Sequence, residues 1–246
     1  MLFFSGTGNS KYVAELFSKH LDCKCHSIEE NIDFDQLIST EERIGFCYPI
    51  YGSKMPRIMR EFVIKYMANL KDKNIIILCT QFIFSGDGAR SFLYNLPKNH
   101  LNVIYAEHIF MPNNSFLFPL PNKNKIEKNR NKADKKIKLI CDNIKTGIIK
   151  KRGFNPISKI LGSFQGNLLP VFEKMTRNSV FINDDCIICN LCIEICPMKN
   201  LKNQNGKIVQ NSNCTMCFRC LNKCPNKAIS ILVNKKIKKQ YLGLNK

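Results

Sequence analysis

The chain has 246 residues, 44% hydrophobic and 23% charged, enough for one large or two modest domains with a buried core. It carries 38 Lys and Arg against 19 Asp and Glu, a formal net charge of +19. No apolar run reaches the roughly 18 residues that span a bilayer, and the opening residues lack the basic start and apolar stretch of a secretory signal, so the chain is expected to be cytoplasmic.

Residues 1–150 alternate short apolar runs with helical patterns. Strands are predicted at 1–4, 23–28, 43–48, 74–79 and 102–109, and helices at 9–20, 56–69, 88–96 and 123–149. Such alternation predicts an α/β fold, a doubly wound parallel sheet whose ligands sit beyond the carboxyl ends of the strands. The first strand, ending at Phe4, is short for a buried one. The loop after it is Ser5-Gly6-Thr7-Gly8-Asn9-Ser10. Two glycines permit a tight turn of inward N–H groups, three hydroxyls add neutral donors, and a helix start adds its dipole. That is a nest for a terminal phosphate. A dinucleotide fingerprint would need Gly where Lys11 stands, although Glu29 and Glu30 follow at about the expected distance, and the G-x4-G-K-[ST] pattern is absent.

This loop resembles the flavodoxin phosphate loop, which implies FMN. The resemblance continues along the chain. A second flavin loop would be Pro49-Ile50-Tyr51-Gly52 after Tyr48, and a third Thr80-Gln81-Phe82 with Gly86 and Gly88 beyond it. Met111-Pro112-Asn113-Asn114 after the last strand is similar to the same family. With no Trp in the chain, ring stacking would fall to Tyr51, Tyr48 or Phe82, each of which could instead be core.

In residues 121–180, Ile126, Ala133, Ile137, Ile140, Ile144 and Ile148 form one apolar helical face, read as the last helix docking on the sheet. A second apolar stretch, Phe154 to Met175, is expected to pack between two domains; a membrane-surface helix is its rival. The domains are read as 1–150, a helical linker 151–179, and 180–246.

Thirteen cysteines without a secretory signal argue for metal or redox chemistry over a disulfide framework. Eight fall into two blocks offset by 28 residues: Cys186, Cys189, Cys192 and Cys196 before Pro197, and Cys214, Cys217, Cys220 and Cys224 before Pro225. Two zinc sites are an alternative, although zinc prefers separated C-x2-C pairs. A Rieske centre needs two His, and all four His lie upstream of both blocks. The spacing resembles that of bacterial two-cluster ferredoxins, in which the fourth cysteine of each block ligates the other cluster. The resemblance implies two [4Fe–4S] clusters in a small α+β domain. One would sit on Cys186, Cys189, Cys192 and Cys224, the other on Cys214, Cys217, Cys220 and Cys196. Short strands are expected at 181–182, 207–209 and 229–232. Cys23, Cys25, Cys47, Cys79 and Cys141 are read as structural.

The chain as a whole resembles the flavo-ferredoxin family, a flavodoxin-like domain fused to a two-cluster ferredoxin. This implies an electron carrier more than a substrate-converting enzyme; a flavin or quinone reductase is the alternative. No acid–base pair or nucleophile stands out, so no catalytic residue is assigned. Charge is uneven: residues 1–120 hold 12 basic and 12 acidic side chains, residues 121–246 hold 26 and 7. Solvated lysines of an AT-rich genome explain this blandly. The functional reading is steering of acidic redox partner proteins. A nucleic-acid-binding redox sensor is the third reading, but no reader motif is present, so no specific nucleic acid is expected.

Overall fold

Continuous apolar runs are what a strand buried on both faces requires, and the centre of the molecule is built from them. The computed structural model describes residues 1–51, 54–83, 86–94, 96–158, 160 and 169–244. Strands β1 (Leu2–Phe3), β2 (His26–Ser27), β3 (Arg43–Pro49), β4 (Asn74–Gln81), β5 (Asn102–Phe110) and β6 (Lys150–Lys151) form one sheet in the order β2-β1-β3-β4-β5-β6. Every pairing is parallel. Strand side chains alternate between faces. Phe3, Cys47, Ile76 and Leu78 meet helices α1 (Asn9–Leu21) and α5 (Lys123–Lys145) on one side. Leu2, Phe4, Phe46, Ile75 and Ile77 meet α2 (Phe34–Thr40), α3 (Arg57–Lys65) and α4 (Met67–Leu70) on the other. This is the doubly wound arrangement expected. Ala133, Ile137, Ile140 and Cys141 of α5 are buried on the sheet, as its apolar stripe requires, while Ile148 lies beyond the helix and is exposed.

Several elements differ from expectation. The predicted helix at 88–96 is only a 3-10 turn, Arg90–Leu93. Gly86 and Gly88 precede it, Pro97 follows, and Ser91 Oγ and Tyr48 Oη both donate to the Gly88 carbonyl at 2.6 and 3.2 Å. The predicted helix 56–69 breaks at Tyr66 (φ −100°), whose ring packs on Phe62 and Phe34. Helix α2 was not expected. Its signal is Asp33, whose carboxylate accepts from the Gln36 N–H at 2.9 Å.

The C-terminal part is small. Strands β7 (Val180–Ile182) and β10 (Ile229–Ile231) pair antiparallel, as do β8 (Leu201–Gln204) and β9 (Lys207–Gln210). Between them lie α7 (Leu191–Glu194) and α8 (Arg219–Lys223), with α6 (Leu169–Arg177) leading in. Residues 159 and 161–168 of the stretch read as inter-domain packing, including Leu161, Phe164 and Leu168, lie outside the described residues. Among the described residues no helix is long and apolar enough to cross a membrane.

A buried charge cluster locks α5 and β6 onto β5. Glu107, 1% exposed, contacts Lys150, Lys136 and Arg152 at 2.9, 3.2 and 3.3 Å. Burial alone would raise its carboxyl pKa; hydrogen bonds from Lys150 and the His108 N–H outweigh that and lower it. The neighbouring His108 is also 1% exposed, and its Nε2 accepts from the Ala89 N–H at 3.2 Å. Burial, helped by Arg152, holds its pKa down at about 4. The unfolded imidazole takes a proton near its ordinary 6.5 that the folded one refuses. Stability is therefore expected to fall as pH drops from about 6.5 towards about 4, by about 3 kcal/mol in all. Denaturant titrations across that window should show the slope, and His108→Gln should flatten it. An equally steep His108→Gln profile would place the acid sensitivity elsewhere.

Candidate functional site

The carboxyl ends of β1, β3, β4 and β5 open onto a single cavity of about 530 Å³. The loop after β1 supplies Ser5, Gly6, Thr7, Asn9 and Ser10 to its wall; β3 leads to Pro49, Ile50 and Tyr51, and β4 to Thr80, Gln81 and Phe82. The sequence reading placed these residues together, and the topology brings them together. Gly8 caps α1 at φ +101°, a left-handed conformation natural to glycine. Ser5 Oγ accepts from the Gly8 N–H at 3.1 Å, so its own hydroxyl proton remains available to donate. Thr7 Oγ1 accepts from Asn114 Nδ2 at 2.6 Å and likewise keeps its proton. Ser10 Oγ is bound to Thr80 Oγ1 at 2.7 Å, and the Asn9 side chain ties the Pro112 carbonyl to the Tyr241 hydroxyl.

Not every expected residue lines the cavity. Tyr48 is fully buried in the core, so ring stacking is left to Tyr51 and Phe82. Gly88 is taken up by Tyr48 and Ser91, and the Gly86 carbonyl lies against Gly153. Gly52 falls outside the described residues. The loop after β5 contributes more than expected: Met111 to Ser115, Leu117 and Phe118 form a whole wall, and Phe118 meets Phe82 at 5.8 Å between centroids. Asn113 folds this loop by donating to the Ser115 carbonyl at 2.9 Å.

FMN fits these residues. Gln81 lines the cavity, is buried, and its Oε1 has no hydrogen-bond partner among the described residues. A buried acceptor left bare costs about 1–3 kcal/mol, which a flavin or ribityl donor would relieve. Burial pushes the Tyr51 phenol well above its usual range, keeping it a neutral donor. Thr7→Leu is expected to remove a phosphate donor and weaken flavin binding at least 10-fold, about 1.4 kcal/mol, while leaving iron content unchanged. Flavin and iron counts on the anaerobic variant check this; unchanged flavin content would take Thr7 out of the site.

The eight block cysteines fall into two sets that exchange their fourth members. Cys186, Cys189, Cys192 and Cys224 line one small enclosed cavity. Burial raises the thiol pKa of Cys214, Cys217 and Cys220, and the nearness of Cys196 to all three raises it further. Backbone conformation repeats at the same 28-residue offset. Ile188 and Met216 (φ 55° and 54°), Asn190 and Phe218 (61° and 57°), and Lys199 and Lys227 (48° and 55°) are all left-handed. None is glycine, and Ile188 is β-branched, so the loops carry strain that a bound group can offset. The Asn200 and Ala228 N–H groups donate to Cys196 and Cys224 Sγ at 3.2 and 3.3 Å. Burial pushes Cys192 up to about 11 and Cys217 to about 12. Bare thiolates are therefore disfavoured here, and a cationic iron core is the partner this donor set fits.

The two sites share a wall. Met216 and Phe218, on either side of Cys217, line the large cavity together with Leu232. A Cβ on Gly6 would overlap the Cys217 carbonyl oxygen, so the first loop and the cysteine loop are in backbone contact. Arg57 Nη2 donates to the Asn213 carbonyl at 2.8 Å, Arg60 pairs with Glu173 at 2.9 Å, and Asn222 Nδ2 donates to the Asn114 carbonyl at 3.1 Å. Glu29 is engaged by Arg219 at 2.6 Å. Neither Arg219 nor Met216 was singled out in the sequence, because what gives them meaning lies far off in the chain: Ser5, Gly6 and Glu29 for Arg219, and the cavity walls for Met216.

Residues 1–114 match the model of a flavodoxin domain, and residues 179–225 that of a 4Fe-4S dicluster domain. Among solved structures, the chain is similar to the two-electron reduced flavodoxin of Megasphaera elsdenii. Identity is 16% and the TM-score 0.41, covering 57% of this chain and 96% of that one. It is also similar to a flavodoxin from the domain Archaea, at 15% identity and a TM-score of 0.37, covering 58% and 96%. No curated protein matches.

Proposed function

The chain is a flavodoxin domain fused to a ferredoxin-like 4Fe-4S dicluster domain, and from that premise we propose that it carries electrons between one FMN and two [4Fe–4S] clusters. When bound, FMN supplies one- or two-electron chemistry and each cluster one-electron chemistry. The observation that carries the reading is the shared wall, in which Met216 and Phe218 belong to both the cavity and the second cysteine loop. Ser5, Thr7 and the N-terminal turn of α1 would hold the phosphate, with the helix dipole favouring its charge. Gln81 would accept from the flavin, and Tyr51 and Phe82 would flank its ring. Met216, Phe218 and Leu232 would exclude water from the path to Cys217 and Cys220. The flavin unit is taken as 1–150, with β6 running one residue past that bound along β5 at the sheet edge, and the cluster unit as 180–246.

Flash reduction of the flavin in anaerobic protein tests this. Flavin reoxidation should match cluster reduction, at a rate independent of protein concentration. A rate proportional to concentration would mean transfer between chains, against the proposal.

The partner is proposed to be acidic. Two clusters with four thiolates each lower the charge of residues 121–246 from +19 only to about +15. Lys236 is paired with Asp185 at 2.7 Å, which keeps the Lys-rich tail on the cluster unit. Electron transfer from an acidic donor protein should slow several-fold as salt rises and the Debye length shrinks below about 10 Å. Neutralising Lys235, Lys238 and Lys239 should reduce that slope; a rate indifferent to salt returns them to solvated surface.

A further inference from the structure

Arg219 stands between two cysteines of one set and touches three separate pieces of the molecule. Nε donates to the Gly6 carbonyl at 3.3 Å, and Nη2 to the Ser5 carbonyl at 2.9 Å. Nη1 donates to the Ile195 carbonyl at 3.0 Å, one residue before Cys196. Both terminal nitrogens also pair with the Glu29 carboxylate, at 2.7 and 2.6 Å. A guanidinium has five N–H donors, and here all five are engaged. In a trans peptide the carbonyl and the following N–H point in opposite directions. Holding the Ser5 and Gly6 carbonyls therefore aims the N–H groups of Gly6 and Thr7 away from Arg219. Gly6 and Thr7 both line the cavity. The same side chain braces Ile195 beside Cys196 and lies next to Cys220 in sequence. One residue thus sets the donor geometry of the phosphate loop and the shape of the second cysteine set.

We infer that Arg219 is a positioning residue that couples FMN retention to the integrity of the iron cluster on Cys196, Cys214, Cys217 and Cys220. The inference rests on the proposed cofactors. Coupling between two sites is reciprocal: whatever FMN gains from the intact cysteine loop, the cluster gains from bound FMN. Loss of that cluster frees the loop carrying Arg219, and the phosphate loop loses its brace. Among the described residues Arg219 donates to no residue adjoining Cys186, Cys189, Cys192 or Cys224, so the cluster on those four serves as the internal reference.

The test starts from anaerobic holoprotein with FMN either retained or dialysed away. Iron loss to a chelator is followed by the two clusters' EPR signals in samples reduced after quenching. In the wild type, FMN should slow loss of the Cys196 set about 10-fold and leave the other set unchanged. In Arg219→Ala that protection should disappear, and in Glu29→Gln it should shrink. A merely structural role would speed iron loss equally with and without FMN. If Arg219→Ala does not fold, Glu29→Gln decides: reduced protection supports the coupling and full protection overturns it. If FMN binds but protects neither cluster in the wild type, the coupling is wrong while the flavin assignment stands. If the holoprotein binds no FMN, the flavin assignment fails and the coupling with it.

Discussion

Gly6→Ala is expected to cost about 1–3 kcal/mol of stability and to weaken FMN binding several-fold, although it adds one methyl group. Gly6 does not need to be glycine for its φ. A Cβ at this position would overlap the Cys217 carbonyl oxygen and sit 3.0 Å from the Cys217 Cβ. Both are tightly held, one by the cysteine loop and the other by the hydrophobic core that Cys217 joins. The phosphate loop and the cysteine loop must therefore separate. Gly8→Ala is the control. Among the described residues nothing lies within 4 Å of its Cβ position, but its φ of +101° is costly for alanine. That variant should lose stability of about 1 kcal/mol through backbone strain without moving Cys217. Denaturation midpoints, flavin titration and the EPR signal of the second cysteine set separate the two. A Gly6→Ala protein that binds FMN as the wild type does would show that the two loops are not in contact.

Cys196→Ala is expected to abolish the cluster wrapped by the second block and to leave the one wrapped by the first. Iron should fall from about eight to about four per chain, the loss of one cuboidal cluster. Cys196 lies in the first block but sits electrostatically with Cys214, Cys217 and Cys220. Cys224 lies in the second block but closes the cavity of Cys186, Cys189 and Cys192. Removing Cys196 should also loosen FMN, because its cluster supports the loop carrying Met216 and Arg219. EPR of the reduced variant identifies the survivor. Loss of only the cluster on Cys186, Cys189 and Cys192 would overturn the exchanged pairing.

The sequence made legible what short-range chemistry dictates. β3, β4 and β5 stood out because strands buried on both faces carry apolar runs, here residues 44–48, 75–79 and 103–106, even though β5 goes on to buried Glu107 and His108. The first loop stood out because glycines and hydroxyls before a helix start have few other uses. The 28-residue repeat of cysteines carries over into a repeat of left-handed backbone. The failures have physical causes. β6 is two lysines pairing at an exposed edge, so no apolar pattern marks it. β8 reads Leu-Lys-Asn-Gln, too polar to resemble a strand, yet the Asn205-Gly206 turn after it was a usable hairpin signal. Tyr48 and Tyr51 are indistinguishable as residue types, and only the fold sends one into the core and the other to the cavity. Arg219 was invisible because its meaning lies in carbonyls of a loop far away in the chain.

The most direct test of the central claim is a reductive titration of anaerobically purified protein with iron, sulfide and flavin counted on the same sample. About eight irons, eight sulfides and one FMN should be found, and about four electrons should reduce each chain, two at the flavin and one at each cluster. Zinc in place of iron, NAD bound without flavin, or saturation at about two electrons per chain would contradict it.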